Sequence, residues 1–488
     1  MAIRRYLADA DNTISNAFKD NLSTRATGSN MGQADVSEVF SIYARATTSS
    51  AELSRVLTKF DVNTISSDRT AGVIPESGSV SFYLRLFNAE TTRTVPKNFT
   101  IVAQAISRSW NEGDGLDLEN YKDSGQSNWV AANSTTNWTT AGGDYHSSPI
   151  FTQYFETGLE DLEIDISDLV EQWIGGTKQN YGIGIRLTAS NEATSSTNSE
   201  GATTSYYTKR FFARGTQYFF KKPVIEARWN SSIQDDRGDF YYSSSLAPAS
   251  DNLNTIYLYN FVRGRLTNIP AIDTGSIFVT LYSGSTSPEG SKLVLHDGNT
   301  NVTGGHVSTG IYSCSVAITS AATPLKTLFD VWHNDGATEY FTSSIKPAKH
   351  YALAASTGNT RYVTNIKNLR SKYFSEEEAR FNVYVRNKNW SPTIYTVASA
   401  EIENTIIPSA SFRVYRVLDG FNAIPHGTGS DLQTILSYDV SGNYFNLDMS
   451  LLEPGYEYGI KLAFYDSQRQ SWIEQDQKFL FRVEDYEH

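Results

Sequence analysis

Apolar and polar residues alternate over roughly five to eight positions in segment after segment of this 488-residue chain, and each run is bounded by Gly, Asn, Asp, Ser or Pro. A period of two puts successive side chains on opposite faces of a pleated strand, so one face can be buried while the other stays wet. Ser79–Leu86 and Phe99–Ile106 show the pattern most clearly. Further runs follow at residues 182–187, 222–229, 255–261, 276–282, 310–318, 380–385, 410–417, 444–449, 456–465 and 479–483. Helical patterning is scarce. The spacing predicts one helix over Ile166–Trp173, capped by Ser167 and stopped by Gly175-Gly176, and a second over Ser375–Ala379. The chain therefore reads as all-β, with many short strands at regular spacing, a pattern that favours sandwiches.

Composition narrows both fold and function. Aromatic residues make up 13% of the chain, and their large apolar surfaces supply enough to bury several cores, which excludes disorder over most of its length. No run approaches the roughly 18 apolar residues of a membrane helix. The opening Met1–Asp11 has no apolar stretch before its acids, so neither membrane insertion nor an ordinary export signal is expected. Basic residues number 41 and acidic residues 53, a net charge of −12 with no Lys/Arg stripe. A nucleic-acid partner is not expected, because it would call for such a stripe to displace counterions. Cys314 is the only cysteine, which rules out an internal disulfide framework or a Cys-based zinc cluster.

At about 150 residues per domain the length allows two to four domains. Composition shifts at Gln234–Asp239, and Ser243–Ser250 reads as linker, giving a first domain over 1–233 and a linker over 234–250. Beyond it, Ser276–Tyr282 is echoed by Ser411–Val417, Thr309–Ser315 by Ser441–Leu447, and Phe329–Trp332 by Phe464–Asp466, at offsets of 135, 132 and 135. A steady offset points to a duplicated sandwich of about 120 residues, near the size of an immunoglobulin-like domain. The predicted domains are then 251–370 and 371–488.

The first domain carries a more specific pattern. Ala8-Asp9-Ala10-Asp11-Asn12-Thr13-Ile14, the strand Arg55-Val56-Leu57-Thr58-Lys59-Phe60-Asp61, Ser109–Gly115 and Ser127–Val130 occur in order. They are followed by Ile164–Gly176, Asn180–Ile185, Phe211–Arg214 and Lys222–Ala227. This succession resembles the DNRLRE domain, a jelly-roll family related to carbohydrate-binding modules and found in secreted surface proteins and phage virions. The chain departs from that pattern at the Ser/Thr-rich insert before Tyr206 and at Ala213, where Ser is common. More loosely, Pro408–Val417, Ile424–Ser430 and Leu436–Phe445 resemble virion structural proteins of marine tailed phages.

Chemistry is harder to find. The seven histidines lack the i, i+4 spacing of a helical zinc motif, and the serine-hydrolase elbow and the phosphate-binding loop are both missing. Glu112, Asp114, Asp117 and Glu119 surround Gly113 and Gly115. Hard Ca²⁺ takes several oxygen ligands from a loop able to wrap it, so this is a candidate Ca²⁺ site, with a solvated acidic turn as the alternative. Trp110, Trp129, Trp138, Tyr121 and Tyr145 crowd into residues 110–145 with Asn128, Asn133 and Asn137. Sugar rings stack on exposed aromatic faces while amides take their hydroxyls. The candidate carbohydrate-binding set is therefore Trp138, Tyr121, Tyr145, Asn133 and Asn137, whereas the resemblance puts Trp110 and Trp129 in the core. Trp138 is open to either reading.

The resemblances imply a non-enzymatic structural protein of a phage particle, at tail, baseplate or neck, that serves assembly or host attachment. Capsid decoration, or a glycan-binding surface module, is the alternative; a polysaccharide-degrading enzyme is the third. Its expected partners are other virion proteins, further copies of itself and host-surface glycan. One route to self-association is the strand 255–261, which carries neither Lys nor Pro to block edge pairing.

Overall fold

A computed structural model describes residues 2–43, 51–120, 125–192, 203–242, 248–318, 325–335, 338–347, 361–390, 394 and 404–486. The chain is all-β, with two α-helices among the described residues. It divides into two compact units, Ala2–Asn230 forming one and Ser231–Thr428 with Thr434–His488 the other.

The first unit holds ten strands and both helices: β1 (Ile3–Ser15), β2 (Val36–Tyr43), β3 (Ala51–Phe60), α1 (Val62–Thr70), β4 (Ser81–Leu86), β5 (Phe99–Ile106), β6 (Tyr145–Phe155), β7 (Leu162–Asp165), α2 (Ser167–Ile174), β8 (Ile183–Leu187), β9 (Tyr206–Phe212) and β10 (Val224–Arg228). Strand β1 serves two layers. Its first half pairs with β10, and after an irregularity at Ala8–Ala10 its second half pairs with β3. One layer continues β10-β4-β7; the other runs β3-β8-β5-β6, with β2 on β3 and β9 on β2. Between them lies a core built on Phe60, Phe82, Leu84, Ile101, Ile185 and Ile225. Helix α2 adds Leu169, Val170 and Trp173 to that core, as the apolar spacing predicts. Ser167 is not its cap. Its hydroxyl donates to Asp165 Oδ1 and accepts the Phe82 amide, tying the helix start to β4. Helix α1 escapes the sequence reading because only Val62 and Ile65 are buried on it, so there is no stripe to detect; Asp61 caps it through the Asn63 amide.

The larger part of the second unit is two further sandwiches. The first contains β11 (Asn254–Tyr259), the short hairpin β12 (Phe261–Val262) and β13 (Arg265–Leu266), then β14 (Ile277–Ser283), β15 (Val302–Ser308), β16 (Ile311–Val316), β17 (Leu328–Asn334) and β18 (Thr338–Ile345). The strand order is β11-β16-β15-β14-β17-β18. Strand β15 pairs with β14 up to Gly304 and with β16 from Gly305, so it passes from one layer to the other. Trp332, Tyr312, Cys314 and Leu281 fill the space between.

The last sandwich contains β19 (Tyr362–Ile366), β20 (Lys372–Phe374), β21 (Glu378–Asn387), β22 (Ala410–Arg416), β23 (Asn422–Ile424), β24 (Ser437–Asp439), β25 (Gly442–Asp448), β26 (Glu457–Asp466), β27 (Ser471–Glu474) and β28 (Phe479–Glu484). Its sheets are β19-β21-β25-β24 and β20-β28-β26-β22-β23, with β27 on β26. This strand order is consistent with the A-B-E-D and G-F-C sheets of immunoglobulin sandwiches. Phe445 stacks on Phe412 at 4.2 Å and on Phe381 at 5.1 Å, joining the two layers. Near the start of β26 the Tyr458 hydroxyl donates to the Glu453 carbonyl at 2.8 Å, the corner contact these sandwiches make at the same place.

Four expectations change. Ser375–Ala379 is a turn running into β21 rather than a helix, because Ala379 and Phe381 alternate inward on a strand. Strand β19 pairs with β21, so the third sandwich begins before residue 371. The expected linker is, at its start, a built element. Asp235 donates its amide to the Tyr438 carbonyl, Phe240 is buried in the second sandwich, and Arg237 pairs with Asp330 at 2.6 Å; residues 243–247 lie outside the described part. Finally, β11 is the terminal strand of its sheet, and this same segment covers part of its edge: Asp236 accepts the Thr255 amide at 2.7 Å and Arg237 donates to the Tyr257 carbonyl at 3.1 Å.

Candidate functional site

The acidic loop does not converge on an ion. Glu112 holds Arg214 at 2.8 Å and accepts the Asp11 amide at 2.9 Å. Asp117 accepts the amides of Glu119 and Asn120 within its own turn, and Glu119 accepts the Asp20 amide at 2.7 Å. Asp114 is exposed. Among the described residues no three His, Cys, Asp or Glu side chains are grouped to hold a metal. The two glycines have another role: a Cβ at Gly113 or Gly115 would collide with Asn30, whose Oδ1 accepts the Gly115 amide at 2.8 Å. The described positions of Glu112, Asp114, Asp117 and Glu119 therefore favour the solvated acidic turn over a Ca²⁺ site. Melting curves in calcium and in chelator are expected to coincide, because a loop whose carboxylates are engaged one by one offers an ion no shared site through which to stabilise the fold by mass action; a calcium-dependent rise that Asp114→Ala abolishes would restore the Ca²⁺ reading.

The glycan platform fails for a different reason. Trp138 keeps only 5% of its surface exposed and packs with Trp110, Trp129, Ile14, Leu57 and Ile106. Its indole N–H donates to the Asn128 carbonyl at 2.8 Å. The aromatic-rich segment is a flap whose tryptophans cover part of the outer face of the β3-containing layer, over Ile14, Leu57 and Ile106. No ring face of Trp138 is left for a sugar. Asn133 Oδ1 accepts from the amide and hydroxyl of Thr135, Asn137 is exposed, and Tyr121 lies outside the described residues. Of the four described residues, Tyr145 lines a cleft.

That cleft, of ≈ 800 Å³, opens beside the flap. Its floor comes from outward-facing positions of three neighbouring strands, Arg55 on β3, Arg186 on β8 and Gln104 on β5; its wall comes from Arg108, Thr139, Asp144 and Tyr145. Tyr145 lies flat over the sheet because position 184 is glycine, where a Cβ would run into the ring. Its hydroxyl donates to the Gly142 carbonyl at 2.8 Å. Two guanidiniums flank the ring, Arg186 at 5.2 Å and Arg55 at 5.9 Å from its centre, a favourable meeting of cation and π face. Burial raises the Tyr145 phenol, against the pull of both arginines, so it stays protonated.

The charges are unequally matched. Arg55 makes a two-pronged pair with Glu192 at 3.1 and 3.0 Å. Arg108 pairs with Asp144 at 2.7 Å. Asp144 also accepts the amides of Thr139 and Thr140, and although burial alone would raise its carboxyl, these bonds and Arg108 hold it below the usual range. Arg186 donates to Gln104 Oε1 at 2.6 Å and reaches the Leu187 carbonyl at 3.5 Å, both neutral. Its Nε is buried with no acceptor. Burial, and then the neighbouring Arg55, push this guanidinium down.

The sequence reading missed the cleft. Arg55 and Arg186 each occupy a polar position of an alternating strand, which signals an outward face and nothing more. That the flap half-covers them depends on where three tryptophans land. Compared with known proteins, the chain matches no family model and no curated protein.

Proposed function

We propose that this chain is a non-enzymatic structural protein of a bacteriophage particle, placed at the periphery of the tail, baseplate or neck. The observation that carries the reading is the way the two C-terminal sandwiches share one segment. Residues 233–240 bond to Tyr438 in the third sandwich and bury Phe240 and Arg237 against the second. A tether would leave such residues wet; a spacer that must hold its length fixes them. The succession of residues resembling a DNRLRE domain supports the same reading, because its most specific part is structural: Trp173 is in the core, and Asn180 Nδ2 donates to the Phe60 carbonyl at 2.7 Å. The expected partners are other virion proteins, with the particle, assembled in the host cytoplasm, as its location.

Quantitative mass spectrometry of gradient-purified particles tests the proposal. A constant ratio of this chain to the major capsid protein across preparations is expected. A ratio that falls toward zero with purification would instead favour a free surface module. That second reading draws on the arginine-lined cleft, which could serve attachment whether or not the chain sits on a particle.

A further inference from the structure

We propose that the cleft between Arg55, Arg186 and Arg108 binds an oxyanion, the carboxylate or sulfate group of a ligand. The inference stands apart from the virion reading and holds for a free module as well. Three guanidiniums line the cleft, but among the described residues Glu192 and Asp144 alone pair with them, each at hydrogen-bond distance from its own arginine. The third, Arg186, has neutral partners and one buried N–H with no acceptor. Glu192 acts on Arg186 only at a distance and is already paired with Arg55; a desolvated cation with no carboxylate of its own is costly unless something supplies the charge. Here the group faces a cleft large enough to admit one.

The geometry also favours an oxyanion over other acceptors. The Arg186 guanidinium is held in place by Gln104 on one side and by the Tyr145 face below, so little freedom remains to be lost on binding. A planar fork of donors matches carboxylate and sulfate oxygens, and charge-assisted bonds of this kind are roughly twice as strong as neutral ones. Hydroxyls at the mouth, on Ser107, Ser109 and Thr140, can donate to the remaining oxygens. Asp144, held ionised by the Thr139 and Thr140 amides and by Arg108, marks the side of the cleft the ligand's charge must avoid.

The test uses the full chain with sodium sulfate and sodium acetate as free ions. A sulfated and a carboxylated polysaccharide are the polymer arm, with sodium chloride at matched ionic strength and neutral dextran as controls. Binding is followed by calorimetry and by the shift in melting temperature. Saturable binding is expected for at least one oxyanion and for neither control. Tighter binding of the polymer names a polymeric source; equal or weaker binding names the free ion. Arg186→Gln should weaken binding at least about tenfold. Because Arg186 is partly buried and its loss can disturb the fold, Ser109→Glu provides a second variant. It sets a carboxylate at an exposed position of the mouth and should weaken binding while leaving the melting temperature of the unliganded protein unchanged. Absence of saturable oxyanion binding in the wild type overturns the proposal, as does binding that both variants retain. Neither result touches the copy number on particles.

Discussion

Arg237→Met is expected to destabilise the C-terminal unit by about 3–5 kcal/mol, the usual loss when one partner of a buried ion pair is removed. Asp330 is 0% exposed. Its Oδ1 accepts from Arg237 at 2.6 Å and its Oδ2 from the Trp332 indole at 2.8 Å. Methionine keeps most of the side-chain volume but leaves the carboxylate with one neutral donor and no counter-charge. It also frees the Tyr257 carbonyl, which Arg237 now satisfies. Urea unfolding of the full chain measures the effect. The double variant Arg237→Met with Asp330→Asn should recover part of the loss, since removing both charges leaves nothing uncompensated. If the single variant unfolds like the wild type, residues 234–242 are a dispensable tether and the shared-segment argument falls.

Glu226→Gln should cost a similar amount, about 3–5 kcal/mol, in the N-terminal unit. Glu226, 2% exposed, lies among three arginines, with Arg5 of β1 at 2.7 Å, Arg228 two residues on in its own strand at 2.8 Å and Arg85 of β4 at 3.4 Å. Glu163, paired with Arg85 and Arg228, would then carry the counter-charge for those two alone. Burial alone would raise the Glu226 carboxyl; the three arginines outweigh it and hold the group well below the ordinary carboxylate range. The sign of the pH dependence follows. A folded-state value below the unfolded one, about 4.3, means the unfolded chain takes up the proton first as pH falls. The stabilisation is therefore complete above that value and is lost progressively below it. Wild-type stability should fall steeply under acid while the variant's falls less, so that the two curves converge. Curves that stay parallel down to the acid limit would show that Glu226 is not the group responsible.

Strands were legible because burial on one face writes itself into a period of two, and each predicted run lies on an observed strand. The duplication was legible in part. Its three echoes fall on corresponding strands, β14 with β22, β16 with β25 and β17 with β26, each a central strand of its sandwich. Letter-for-letter matching still slips, since it sets the inward Cys314 against the exposed Asn446. What the sequence hid were tertiary choices. Acids around glycines look the same whether they ring an ion or, as with Glu112 and Glu119, satisfy separate backbone amides and an arginine. Trp138 sits among Thr and Asn, and only the chain path shows that it turns inward beside Trp129. A charged linker and a charged strap are likewise indistinguishable until Asp330, nearly a hundred residues on, is found opposite Arg237.

The most direct test of the central claim is a single-particle map of the purified phage. The account predicts density for the C-terminal sandwiches at a fixed, symmetry-repeated position on the tail, baseplate or neck, with residues 233–240 ordered against both of them. A complete map in which no position accommodates the chain would contradict it.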